Sequence, residues 1–335
     1  MVSSGTSTAQ PRWRTTLLTA AGYAIALGSM AWVFAGLNWL ELWKDVRSAR
    51  VEWLVVAGLF GLAPYVYNGW RWNLLLRPVA RLKLWRTVRA FYIGLFANEV
   101  LPMRPGELIS SYLLAAWNQM PFSVTVSSVA LERLLDGLSL AIAFSIAAAI
   151  LPLPDYLIAG VRLLAGLLLG ASVLLLFLLW KKPNEAYLPS RLSRRLRPAM
   201  EGLRRMSNAR TLLLSVAASF GNLALQVFPY WALNKAYRLN LSIAALTVVV
   251  LIVRTAVIVP TVPGNAGLLL AACVLGLSLF GIGKTRATGF VALLYLVTNV
   301  PLLIGGAAVT GWSGVGILKL RREMKGASSD NSRAS

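Results

Sequence analysis

The chain has 335 residues, of which 57% are hydrophobic and 13% are charged, and its mean hydropathy is +0.66. Soluble domains contain about 45–50% apolar and about 25% charged residues, so this composition excludes a soluble or disordered protein and predicts a polytopic membrane protein. The absence of histidine and the single cysteine, Cys273, exclude histidine-dependent catalysis and an internal disulfide.

Ten long apolar runs follow one another along the chain, and each is a candidate membrane helix. A full crossing needs about 20 apolar residues, which most runs supply, but the pair at 86–101 and 107–117 is too short for two complete crossings. We therefore predict an all-α fold with about 6 full spans plus two helical hairpins. After the first run, Trp39 and Trp43 predict a short interfacial helix. The runs cover residues 17–36, 53–76, 86–101, 107–117, 122–150, 157–180, 211–234, 242–262, 264–282 and 287–311.

The basic residues indicate how the chain is oriented in the membrane. Most of the 33 lysines and arginines lie before the first span, between 77 and 89, in the loop 181–210 and in the C-terminal tail. By the positive-inside rule these segments and both termini are cytoplasmic. The net charge of +21 is therefore a signal of topology, and no nucleic-acid partner is expected. The predicted organisation is an N-terminal tail (1–16), a transmembrane domain (17–315) and a C-terminal tail (316–335).

The basic loop 181–210 carries leucines between its arginines. This pattern is typical of an amphipathic helix on an anionic leaflet. Two interpretations stay open at this point. The loop could recruit anionic lipid to a portal, or it could anchor the topology of the protein.

Two segments repeat the pattern Pro-x-x-Pro-Gly, at 102–106 and at 260–264. The first proline would end one helix, and the second proline with its glycine would allow a sharp turn into the next. The flanking charges place the first hairpin's ends inside and the second hairpin's ends outside. This predicts an inverted repeat with halves near 52–150 and 211–311, a design typical of transporters; the alternative is an ordinary loop between spans. The residues assigned to the turns are Pro102, Pro105, Gly106, Pro260, Pro263, Gly264 and Gly267.

Eight charged residues lie in or beside the apolar runs, where a charge costs at least about 2.5–3.5 kcal/mol unless it is paired or faces a wet cavity. Arg71 lies beside two tryptophans near a cytoplasmic end and is interpreted as a snorkelling side chain. The others predict a central polar cavity in which arginines hold an anionic group, or alternatively a set of ion pairs that lock helix packing. The predicted headgroup site comprises Asn98, Arg104, Arg133 and Arg254, and the charge partners or proton carriers are Glu99, Glu107, Glu132 and Asp136.

Three motifs carry a family resemblance: Asn98-Glu-Val-Leu-Pro-Met-Arg-Pro-Gly-Glu107, Glu132-Arg-Leu-Leu-Asp136 and Pro260-x-x-Pro-Gly-x-x-Gly267. Together they resemble the membrane region of the lysylphosphatidylglycerol synthase family, also called the flippase-like or UPF0104 family. The resemblance covers about 15–315. It implies a multi-pass protein of the prokaryotic inner (plasma) membrane that is associated with moving lipids or lipid-linked sugars across the bilayer.

The chain departs from the family pattern at two positions. Ser110 stands where the family usually has an arginine, and Leu270 stands where the second motif usually ends in a glutamate. The second departure removes an acid that could carry protons. The short tail implies that no synthase domain is fused to this chain, so lysyl transfer is not its expected activity.

The resemblance and the buried charges favour a lipid flippase or translocase acting on an anionic phospholipid or a polyprenyl-phosphate-linked lipid. No catalytic residue, metal site or cofactor is expected, and membrane lipids are the expected partners. Two alternatives stay open: a polytopic glycosyl or phosphoryl transferase acting on a polyprenyl lipid, and a non-transporting accessory subunit that binds an enzyme of a lipid-glycan pathway.

Overall fold

A computed structural model describes residues 12–101, 104–180, 190–257 and 266–314, and within these ranges the chain is helical with no strand. The all-α fold predicted from the sequence is therefore confirmed. The described helices are α1 (Arg12–Phe34), α2 (Trp39–Ser48), α3 (Val51–Leu76), α4 (Leu84–Val100), α5 (Gly106–Asn118), α6 (Phe122–Ile150), α7 (Asp155–Trp180), α8 (Ser190–Met206), α9 (Ala209–Tyr237), α10 (Ile243–Ala256), α11 (Ala266–Ser278) and α12 (Lys284–Trp312).

Four helices of the described chain are long and apolar enough to cross a membrane: α3, α6, α9 and α12. A fifth span results if α1 and α2 are counted as one broken helix, since they meet at an angle of 86°. About six spans were predicted, and the exact number stays a prediction. The sharp bend sets the short helix α2 across the end of α1, with Trp39 and Trp43 exposed as membrane-interface anchors would be.

The order of helices repeats along the chain. Each half contains a long helix, two shorter helices separated by a Pro-x-x-Pro-Gly sequence and a second long helix, first as α3–α6 and then as α9–α12. The packing repeats too: α6 packs against α10 as α12 packs against α4, and α3 packs against its counterpart α9. A two-fold relation between the halves would exchange these contacts. How the halves are oriented in a membrane stays a prediction.

The α4–α5 hairpin depends on two glycines that face each other. A Cβ at Gly106 would collide with the carbonyl oxygen of Gly94, and one at Gly94 would lie 2.5 Å from the carbonyl oxygen of Gly106. The buried side chain of Asn98 completes this contact, because its Oδ1 accepts a 2.7 Å hydrogen bond from the Gly106 amide. That bond satisfies one of the free N–H groups at the start of α5. The hairpin is thus held closely by its own backbone.

The amphipathic helix predicted in the basic loop forms as α8, which packs against α6. Met206 is fully buried there, and a Cβ at Gly202 would lie 3.1 Å from the side chain of Val124. Arg197, Arg204 and Arg205 remain exposed. The end of α8 is therefore fixed to the protein by its apolar side, with cations on its outer side.

We expect Gly106→Ala to destabilise the protein by at least about 1–3 kcal/mol, because the new methyl group overpacks backbone that cannot move aside. Gly166→Ala in α7 is the matched control, since nothing lies within 4 Å of the added Cβ. Thermal unfolding of the purified proteins in detergent measures both. Equal midpoints for the two variants would contradict the close hairpin contact.

The inverted topology can be tested by cysteine labelling in a Cys273→Ala background. We expect Arg47→Cys and Lys235→Cys to react with an impermeant maleimide applied outside intact cells, because both sites are exposed and predicted to lie outside. Lys83→Cys and Arg210→Cys should react only after the membrane is opened. Labelling of Lys83→Cys and Lys235→Cys from the same side would contradict an inverted repeat.

Candidate functional site

A buried ion cluster lies where α3, α6 and α9 meet. Arg71 donates to Glu132 Oε1 at 2.5 Å and binds both carboxylate oxygens of Asp136, one of them at 3.0 Å. Its Nη1 also donates to Ser219 Oγ at 2.8 Å, and the Ser219 hydroxyl donates to Asp136 at 3.0 Å. The side chains of Arg71, Glu132 and Asp136 are 5%, 9% and 10% exposed. One arginine thus binds two acids and connects the two halves.

This cluster corrects the interpretation of Arg71 from the sequence. The snorkelling prediction was wrong, because the guanidinium points into the bundle rather than toward the membrane surface. The adjacent tryptophans suggested a surface position, but Trp72 is itself 1% exposed and donates to Ser128 at 2.8 Å. Its indole satisfies its polar N–H inside the protein, as a buried tryptophan must.

The ion cluster forms one side of a cavity of about 660 Å³ between the two halves. Four arginines line it, Arg71, Arg104, Arg133 and Arg254, against three acids, Glu107, Glu132 and Asp136. Asn98 also lines it, although its Oδ1 is engaged with Gly106. The structure therefore brings all four predicted headgroup residues and three of the four predicted acids together. What they bind stays a prediction.

Arg104 occupies the first turn in an unusual conformation. Its φ is +49°, in the left-handed region that costs a residue other than glycine about 1–2 kcal/mol. Its Nη1 reaches the carbonyl oxygen of Val257 at 3.5 Å, at the end of α10 in the other half. Within the described ranges it forms no ion pair within 4 Å. The strained backbone therefore aims a guanidinium across the cavity without an acid bound to it.

The other two arginines differ in how completely they are neutralised. Arg133 is bound by Glu107 and lies 3.7 Å from Asp136. Arg254 donates to Gln226 Oε1 at 2.5 Å, while its distance to Asp136 is 3.9 Å, too long for a hydrogen bond. Arg254 is therefore hydrogen-bonded to a neutral side chain rather than to an acid. Its positive charge can still attract an anion.

Several predicted residues are placed away from the cavity or outside the described chain. Glu99 does not line the cavity, although Arg104 is close enough to interact with it electrostatically. Gly267 lies in the first turn of α11, where a Cβ would collide with the Ala26 carbonyl oxygen of α1, so it is a helix-packing residue. The turn residues Pro102, Pro260, Pro263 and Gly264 lie outside the described residues.

Several uncharged residues of the cavity were missed from the sequence. Asn222 and Gln226 lie on α9 at the spacing of one helical turn, continuing a row of polar residues that begins with Ser215 and Ser219. Intervals of four, three and four residues place this row on one face of an otherwise apolar helix. That periodicity is present in the sequence and could have identified the polar face of α9. On α3, Tyr65 and Asn68 precede Arg71 at intervals of three and extend the same surface.

A second, apolar depression of about 430 Å³ lies on the opposite face of α9. Leu223, Val227 and Trp231 of α9 and Ile243 of α10 are among its lining residues. By helical periodicity, Trp231 lies opposite Asn222 on α9, and Leu223 and Val227 lie between these two directions. One helix therefore separates the polar cavity from an apolar groove.

Leu270, at the position where the family resemblance implies an acid, is apolar in its surroundings as well as in the sequence. Leu270 is 7% exposed and packs in the hydrophobic cluster of α9, α10, α11 and α12. Within the described ranges, no group of three or more histidine, cysteine, aspartate or glutamate side chains is placed to hold a metal ion.

The long apolar helices and the charged cavity between two similar halves define a polytopic membrane protein with an interior polar site. Residues 19–306 match the family described as the lysylphosphatidylglycerol synthase TM region, and the chain belongs to that family. This confirms the resemblance found in the sequence. Among curated proteins, none matches the chain. Family membership associates the protein with lipid metabolism or transport in a membrane.

We expect Arg71→Leu to destabilise the protein by about 3–5 kcal/mol, because it leaves Glu132 and Asp136 buried without their shared cation. Neutralising both acids together, in Arg71→Leu/Glu132→Gln/Asp136→Asn, should recover much of that loss. Glu201→Gln is the control, since the exposed Arg197–Glu201 pair should contribute about 0.2–1 kcal/mol. Unfolding in detergent measures all three, and an unchanged Arg71→Leu midpoint would contradict the cluster.

Proposed function

We propose that the protein is a lipid translocase that binds the anionic headgroup of an anionic phospholipid or a polyprenyl-phosphate-linked lipid in its central cavity. The observation that supports this is the cavity of about 660 Å³ whose lining includes four arginines against three acids. The site lies between helices long and apolar enough to span a bilayer. A buried cationic site in such a place is suited to a negative group that must leave water.

The arginines supply the binding chemistry. Arg71 is occupied by its two acids and Arg133 by Glu107, but Arg104 and Arg254 have no acid at hydrogen-bond distance within the described chain. A guanidinium presents a planar pair of N–H donors that matches the oxygens of a phosphate. Because an unpaired charge in the membrane is costly, a bound phosphate would stabilise both side chains at once.

The repeated halves support a mechanism of alternating access. Arg104 belongs to the turn of the first half and contacts the end of α10, which precedes the second Pro-x-x-Pro-Gly sequence. In transporters with inverted repeats, substrate binds where two such broken segments meet, and one half rocks against the other. We propose this arrangement here, in a prokaryotic inner membrane with both termini in the cytoplasm.

The two faces of α9 fit a substrate that is a lipid rather than a free anion. Asn222 and Gln226 face the polar cavity, whereas Leu223 and Val227 face the apolar groove. An α-helix with its side chains is about 10–12 Å across. A headgroup inside the cavity and its acyl chains in the surrounding hydrocarbon would thus be separated by the width of one helix.

A second candidate function is that of a non-transporting accessory subunit. It is favoured by Leu270, which puts a buried apolar side chain where the family usually has an acid. Such a subunit would bind the same lipid without moving it, and it would co-purify with a stoichiometric enzyme. A translocase reconstituted alone in vesicles would move lipid without that partner, so reconstitution separates the two functions.

The function is tested by Arg104→Gly and Arg254→Gln. Glycine relieves the left-handed strain at position 104, so we expect Arg104→Gly to unfold at the same or a higher temperature than the wild type while losing the cation. Each charge-assisted hydrogen bond contributes about 1.5–3 kcal/mol, so we expect each variant to retain about ten- to a hundredfold less anionic lipid. Mass spectrometry of co-purified lipid and a vesicle-based flipping assay measure the two effects.

Arg162→Gln is the matched control, because Arg162 is an exposed residue of α7 and does not line the cavity. Its lipid content and flipping rate should equal those of the wild type. If Arg104→Gly and Arg254→Gln also keep the wild-type lipid and rate, the cavity is not the headgroup site.

A further inference from the structure

The ion pair between Arg133 and Glu107 differs from the buried ion cluster in how much of it a ligand can reach. Both residues line the cavity, and their side chains are 52% and 45% exposed. The side chains of Glu132 and Asp136 are only 9% and 10% exposed, and Arg71 binds them both. Among the cavity residues that the structure describes, Glu107 is therefore the acid that an entering ligand can displace.

Glu107 lies where two guanidinium groups attract a negative charge. Its Oε1 accepts a hydrogen bond from Arg133 Nη2, whereas its Oε2 accepts none within the described chain. Arg104 also interacts electrostatically with Glu107. The carboxylate is thus held by a single oxygen at a position that is favourable for an anion.

Arg133 is close to both of the arginines that are assigned to the headgroup. Its charge acts as a repulsion on Arg104 and on Arg254. Because such repulsion is strong in a low-dielectric interior, an anion placed among the three side chains is stabilised by all of them. In the empty cavity, the carboxylate of Glu107 supplies part of this negative charge.

We propose that Glu107 is an internal competitor of the headgroup: its carboxylate holds Arg133 in the empty cavity, and the phosphate of an entering lipid displaces it and gains Arg133 as a third arginine ligand. This inference rests on the proposed function. A phosphate offers several oxygens to the planar donors of a guanidinium, whereas Glu107 uses one. Arg104 and Arg254 bind the same phosphate, which makes the exchange favourable.

The displacement also changes a contact between two helices. Glu107 is the second residue of α5, and Arg133 belongs to α6, so their ion pair links the hairpin to the next long helix. The backbone at the start of α5 stays fixed, because Asn98 holds the amide of Gly106. The exchange therefore needs only a rotation of the Glu107 side chain, and a loaded cavity lacks one of the links between α5 and α6.

The direction of change in one variant tests the proposal. Detergent-purified, delipidated full-length protein is titrated with phosphatidic acid, whose headgroup is a bare phosphate, and binding is measured by native mass spectrometry. We expect Glu107→Gln to bind this lipid about five- to tenfold more tightly than the wild type, because the amide neither neutralises Arg133 nor repels the phosphate. Unchanged or weaker binding overturns the proposal, since an acid that merely positions Arg133 would weaken binding when it is removed.

A double-mutant cycle assigns the gain to Arg133. We expect Arg133→Gln to weaken binding about tenfold, and Glu107→Gln to lose most of its gain in that background, because no guanidinium is left to release. An equal gain in both backgrounds overturns the displacement. Should Glu107→Gln fail to fold, Glu107→Asp is the second variant. Its shorter side chain reaches Arg133 less well, so it should also bind the lipid more tightly than the wild type, by a smaller factor.

Glu201→Gln is the matched control, because it also removes the acid of an exposed arginine–glutamate pair but does not line the cavity. Its affinity for phosphatidic acid should equal that of the wild type.

The outcomes separate this inference from the proposed function. If Glu107→Gln binds phosphatidic acid no more tightly than the wild type while Arg104→Gly and Arg254→Gln bind it more weakly, the competitor is wrong and the headgroup site stands. If the wild type binds phosphatidic acid no better than phosphatidylcholine, the proposed function itself fails.

Discussion

Neutralisation of Arg71 is the interaction on which the interior of the protein depends. A guanidinium and two carboxylates cannot remain in a hydrocarbon-facing bundle unless each satisfies the others, since the desolvation of each ion costs several kcal/mol. The arginine comes from α3, its acids from α6, and the serine that links them from α9. These three helices must therefore meet at one place and in one register. The meeting of these three helices determines where the cavity beside them lies and which charges line it.

The same cluster determines which groups are available to a ligand. Asp136 accepts hydrogen bonds from Arg71 and Ser219 and lies 3.9 Å from Arg254. Arg254 donates to the neutral Gln226 instead. Arg104 lies in a strained turn and forms no ion pair within 4 Å in the described part of the chain. A cluster that was satisfied in a different way, with Arg254 bound to Asp136, would leave no binding capacity on that side. The ion pairs of Arg71 thus decide which arginines remain available to the proposed headgroup site.

The sequence was informative about the fold and about the charged half of the site. Apolar run length predicted the helices, and the energetic cost of buried charge was enough to identify Arg104, Arg133, Arg254 and three of the four predicted acids as residues of the cavity. It failed for Arg71, because position near a span end and flanking tryptophans describe a helix in isolation, whereas burial depends on what packs against it. The uncharged polar residues of the cavity were missed for a different reason. Asparagine, serine and tyrosine are tolerated in membrane helices, so only their spacing on α9 distinguishes a cavity face from scattered polarity.

The balance of charge around the cavity has an electrical consequence. Among the residues that the structure describes, the cavity lining sums to one positive charge, because Arg71, Arg104, Arg133 and Arg254 face Glu107, Glu132 and Asp136. Arg104 also interacts electrostatically with Glu99, and if Glu99 is ionised the sum including it is zero. Moving one charge through a membrane potential of 100 mV involves about 2.3 kcal/mol. With Glu99 protonated, the potential acts on the empty site and not on the site loaded with a singly charged anion. With Glu99 ionised the reverse holds. For the proposed translocase, the voltage dependence of lipid movement would therefore report the protonation of a single side chain.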